Sequence, residues 1–190
     1  MTIDRRAFLA SAGGSLAAAW LATDVARLLA AGEHAAAAGR QNPPPPFEYF
    51  KALDAADVEA ATSQIIPSGD DGPGAREARV VYFIDRGLAT WQKNQRDAFR
   101  KGLAELRRRA RAHGAKTFAA LSDAQQQSVI AAMDKENHEF FSTLRGATIV
   151  GMFSNPEYGG NFGKSGWKLI GFVDQFSWAP PFGWYDANAR

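Results

Sequence analysis

Val80, Phe83, Ile84, Gly87 and Leu88 stand at i, i+3, i+4, i+7 and i+8, the spacing that gathers apolar side chains on one face of an α-helix. No stretch of the chain sustains the period-two alternation of a half-buried strand. Helix must therefore pack on helix. Four more segments carry the helical spacing. Asp54 can cap a helix running to about Ile66, with Val58, Ala61, Ile65 and Ile66 inward and Pro67 ending it. A helix from Gln92 to about His113 places Phe99, Leu103, Leu106 and Ala110 on one side. Ser122 and Gln125 have the spacing of a capping box and open a helix carrying Val129, Ile130 and Met133. The last helix holds Phe141, Leu144, Thr148, Ile149 and Met152. About five helices with short connections predict a small all-α bundle, followed by a glycine- and aromatic-rich C-terminal loop and tail.

The ends of the chain read differently from its middle. Four consecutive prolines at 43–46 fix φ and remove backbone donors, which makes residues 39–46 a stiff linker and starts the folded domain, 47–190, near Phe47. Residues 1–38 have the order of an export signal, a short charged start and then a weakly apolar, alanine-rich run. Arg5 and Arg6, followed by Phe8 and Leu9, resemble the twin-arginine export motif. Asp4 and Ala10 depart from the residues usual at their positions. The apolar run is about sixteen residues long and contains Gly13 and Gly14, against the roughly 20 residues of a spanning helix. The twin-arginine route carries proteins that are already folded, commonly because they have been loaded with a cofactor.

This chain offers little to hold such a cofactor. It has no cysteine, which removes disulfides, thiolate-ligated clusters, covalent haem attachment and a cysteine nucleophile. His34, His113 and His138 are scattered, and no histidine pair has metal-ligand spacing. Asp134, Glu136, His138 and Glu139 form the one acidic and histidine cluster, read here as a surface feature rather than an acid–base or metal centre. No nucleophile elbow, phosphate loop or dinucleotide fingerprint is present. The sequence thus predicts no catalytic residues and no metal. Between Lys93 and Lys116 nine basic residues face two acidic ones. Arg107, Arg108 and Arg109 point round most of a helix, without interleaved aromatics, so a solvated face is expected first and an ion-paired contact to an acidic partner second, and nucleic acid is not expected.

Residues 155–172 hold five glycines, a proline and four aromatic rings. Glycine permits close backbone approach, and Tyr158, Phe162, Trp167 and Phe172 supply stiff, amphipathic contact area. Such rings either close over the helical core or anchor a partner. Residues 175–185 add five more aromatics, Phe176, Trp178, Phe182, Trp184 and Tyr185, more than a small bundle readily buries alone.

Several blocks together resemble the gluconate 2-dehydrogenase subunit 3 family. They are the twin-arginine signal, Ile65-Ile66-Pro67, Gly74-Ala75-Arg76-Glu77-Ala78, Val81-Tyr82-Phe83-Ile84-Asp85, Phe140 to Arg145, Asn155 to Asn161, and Gly166-Trp167-Lys168-Leu169-Ile170-Gly171-Phe172. The resemblance implies a small, non-catalytic subunit of a membrane-associated periplasmic dehydrogenase. In such a complex a large subunit holds FAD, a multi-haem cytochrome c often accepts the electrons, and the small subunit presents its signal to the twin-arginine translocase and aids maturation of the large one. A chain without a cofactor would then use a folded-protein route because its passenger carries one. Tyr158, Gly159, Gly160, Asn161, Phe162, Gly166 and Trp167 are the expected partner-binding loop. Two other readings compete: a stand-alone periplasmic enzyme using Asp134, His138 and Glu139, and a self-associating structural protein.

Overall fold

The computed structural model describes residues 42–174. Arg5, Arg6, Phe8 and Leu9 of the export motif, and the tail aromatics from Phe176 onward, lie outside the described residues. Within them the chain forms α1 (Ala52–Ile65), α2 (Val80–Ala89), α3 (Arg96–Ala112), α4 (Asp123–Lys135), α5 (Glu139–Phe153) and a short α6 (Ser165–Leu169). Single 3-10 turns stand at Lys93–Gln95, Phe118–Ala120, Pro156–Tyr158 and Phe162–Lys164. The one extended pairing among the described residues is a bridge between Gly69 and Gly72 that closes a turn. The all-α expectation is met.

Each apolar stripe turns inward. Val80, Phe83, Ile84, Gly87 and Leu88 of α2 are buried, as are Phe99, Leu103, Leu106 and Ala110 of α3. α5 packs against α1, α2, α3 and α4, and Leu144, Ala147, Thr148 and Met152 are sealed within that contact. The crossing of α3 and α5 is close because Gly102 has no side chain. A Cβ there would lie 2.1 Å from the ring of Phe140, which in turn meets Phe99 edge-on at 5.5 Å. Sealing side chains such as Ile84, Leu88 and Leu106 contributes about 1.5–3 kcal/mol each.

Two local expectations need correction. Asp54 does not cap α1, which begins at Ala52 behind Lys51 with no side-chain cap; its carboxylate instead accepts from Arg107 Nη2 at 2.6 Å. The third helix starts at Arg96, with a 3-10 turn over Lys93–Gln95 where its first turn was expected. The Ser122–Gln125 capping box, by contrast, forms in both directions.

The basic helix is only partly a solvated face. Arg100, Lys101, Arg108 and Arg111 are exposed, but Arg107 turns in to Asp57, whose carboxylate is fully buried and also accepts from Ala119 N at 2.9 Å. Arg109 joins Glu105, at 2.7 Å, to Glu136, at 2.6 Å, and so ties α3 to the end of α4. Charge that looked available to a partner holds the bundle together.

Candidate functional site

The C-terminal segment closes over the end of α5. A helix ends in carbonyls that have no partner within it, and here the loop supplies donors to three of them. Asn161 N donates to Gly151 O at 2.8 Å, Asn161 Nδ2 to Ser154 O at 2.9 Å, and Trp167 Nε1 to Phe153 O at 2.9 Å. The return is tight. At Gly160 a Cβ would stand 2.1 Å from Gly151 O, so no other residue passes that point without moving the loop.

Asn161 organises this closure. It is 0% exposed, adopts the left-handed region at φ 48 and ψ 37, and its Oδ1 accepts from Gly166 N at 2.8 Å. One carboxamide therefore fixes both the helix end behind it and the start of α6 ahead. Before it, Asn155 accepts from Glu157 N at 3.1 Å and Pro156 opens a 3-10 turn that Gly159 ends at φ 92. After it, Phe162 N donates to Ala78 O at 3.1 Å, and the Arg79 guanidinium lies 3.4 Å from the Phe162 ring centroid. Trp167 meets Phe172 edge-on at 5.1 Å.

The seven residues expected in a partner-binding loop are thus brought together but divide by exposure. Gly159, Gly160, Asn161 and Gly166 are buried within the chain and set the loop's shape. Tyr158, Phe162 and Trp167 are half-buried and form its rim. Beyond the rim, Ile170, Phe172 and Val173 are 53%, 47% and 57% exposed, a concentration of apolar surface beside the loop. The glycines lie at the carbonyl end of α5, whose partial negative charge disfavours phosphate.

Sequence reasoning missed the N-terminal strap on α2. Residues 47–50 are strapped to α2 by Asp85, a buried carboxylate that accepts from Glu48 N at 2.8 Å, Tyr49 N at 3.0 Å and Phe50 N at 2.8 Å. Phe47 stacks on Tyr82 at 4.6 Å, and Arg86 meets Glu48 at 2.8 Å. Burial raises the Tyr82 phenol above its ordinary pKa. An aspartate and an arginine set in an apolar stripe at 85 and 86 were the available signal, since buried charges in a helix face need partners.

The acidic and histidine cluster is a helix corner. His138 caps α5, its Nδ1 accepting from Phe140 N at 3.2 Å, Asp134 faces Arg145 at 3.9 Å, and Glu136 is held by Arg109. Among the described residues no group of three or more histidine or acidic side chains is placed to hold a metal ion, and no helix is long and apolar enough to cross a membrane.

The family model for gluconate 2-dehydrogenase subunit 3 matches residues 52–174, which takes in every helix above and the closing loop. No curated protein and no solved structure matches the chain.

Proposed function

The chain belongs to the gluconate 2-dehydrogenase subunit 3 family, and from that membership we propose that it is the accessory, non-catalytic subunit of an exported FAD-dependent sugar or alcohol dehydrogenase. It binds the large flavoprotein subunit, assists its maturation, and takes it through the twin-arginine translocase on the signal at Arg5 and Arg6. It then remains in a periplasmic complex associated with the membrane, with a multi-haem cytochrome c as the electron-accepting third subunit. FAD resides in the large subunit.

The observation that carries this reading is the construction of the loop. A buried carboxamide and a sterically obligatory glycine hold Tyr158, Phe162 and Trp167 in fixed positions beside the exposed Ile170, Phe172 and Val173. Rigid aromatic groups next to apolar surface lose little entropy on association, which suits them as interface anchors. Among the described residues, His138 of the acidic and histidine cluster uses its Nδ1 as the cap of α5.

Replacing Arg5 and Arg6 together by lysine tests the carrier role. The large subunit should stay in the cytoplasm, and undiminished dehydrogenase activity in the periplasm would sink that role. Trp167→Ala tests the dock: the large subunit should be lost on co-purification through this chain, whereas full retention excludes Trp167 as an anchor.

A further inference from the structure

Arg79 stands where the two ends of the described chain meet. It precedes α2 in the left-handed region, at φ 54 and ψ 39, a conformation that a long side chain adopts only when its surroundings hold it there. Its guanidinium covers the Phe162 ring of the C-terminal loop at 3.4 Å. From the same group Nη2 donates to Asn42 Oδ1, 3.1 Å away, in the proline linker. The neighbouring carbonyl, Ala78 O, accepts from Phe162 N.

Each end is separately latched to the bundle. Residues 48–50 hang on the buried Asp85 carboxylate. The loop hangs on the last turn of α5 through Asn161. Arg79 reaches the loop at Phe162 and the linker at Asn42, six residues before the strapped Glu48. The linker at 42–46 precedes the family-matched residues 52–174, so the tie joins Asn42, outside the matched segment, to Arg79 within it.

We infer that Arg79 makes the linker and the C-terminal loop one cooperative unit, so that a partner seated on the loop also fixes the point from which the export signal leaves the domain. The identity of that partner and the export signal rest on the proposed function; the coupling does not. Coupling of this kind is reciprocal, so loosening either segment loosens the other.

Amide hydrogen exchange on the full chain without any partner tests it. The reporters are Tyr49 and Phe50, bonded to Asp85, and Asn161 and Phe162, bonded to Gly151 and Ala78. Arg79→Gly removes the guanidinium while suiting the positive φ, and should speed exchange at both pairs by about fivefold while amides of α3 and α4 keep their rates. Asn42→Ala, at an exposed position outside the core, should speed exchange at Asn161 and Phe162, although they lie more than a hundred residues away in sequence. Acceleration at one pair only, unchanged loop amides in Asn42→Ala, or an equal rise throughout α3 and α4 would each overturn the inference. Because no partner is present, the result is independent of whether the flavoprotein subunit is the one that binds.

Discussion

At the scale of single residues, Asn161 and Gly160 decide whether the closing loop exists. Asn161→Ala leaves Ser154 O and Gly166 N without their buried partners, and orphaned groups of this kind cost about 1–3 kcal/mol each. Alanine also tolerates φ 48 poorly. The unfolding midpoint in urea should therefore fall by an amount equivalent to about 2–4 kcal/mol. An unchanged midpoint would mean that the loop closes by other contacts. Gly160→Ala forces a methyl against Gly151 O and should cost about 1–3 kcal/mol by overpacking, read in the same titration. The sequence made the glycines legible, because their density has few uses outside tight turns. It left the carboxamide illegible. The partners of Asn161 are a carbonyl seven residues back and an amide five ahead, and they become neighbours only once the loop has folded.

Between elements, the decisive contacts are ionic and long in sequence. Asp57 of α1 accepts from Arg107 of α3 and from the turn at Ala119, fifty and sixty-two residues on. Asp57→Ala leaves the Ala119 amide without its acceptor and Arg107 with Asp54 alone, and a lost partner of this kind costs about 1–3 kcal/mol; thermal unfolding should drop by several degrees. Glu105 makes a different prediction. Arg108 foremost, with Arg109, holds its carboxyl down from 4.5 to about 2 against the opposing effect of burial. With the folded pKa below the unfolded one, the folded state binds fewer protons in that window. This stabilisation is complete above pH 4.5 and disappears as the pH falls toward 2. Stability measured by urea against pH should rise across that interval in the native chain and rise less steeply in Glu105→Gln; parallel curves would refute the assignment. Such pairings explain why local spacing pointed to the wrong cap for α1. The capping box of Ser122 and Gln125 was readable because both partners lie within one turn, whereas the partner of Asp54 lies fifty-three residues away.

For the whole molecule, the question is which apolar surface belongs to the fold and which to a partner. Periodicity foretold the bundle because burial of a stripe is a property of the helix that carries it. The fate of the C-terminal rings was not so determined, since a ring may seal its own core or meet another chain and the residue type is the same. Among the described residues, Trp167 is tied by its indole to Phe153 O, while Phe172 is 47% exposed beside Ile170 and Val173, which are more than half exposed. That division separates folding from docking experimentally. Ile170→Ser combined with Val173→Ser removes exposed apolar surface without breaking a side-chain hydrogen bond, and surface changes of this kind stay within about 0.5 kcal/mol each. The melting temperature should hold while retention of the proposed partner, the large dehydrogenase subunit, falls. Gly160→Ala should lower both, because it disturbs the scaffold under the rim. If the serine pair keeps the large subunit as well as the native chain does, the docking face lies elsewhere. A fall in both quantities would instead assign Ile170 and Val173 to the fold.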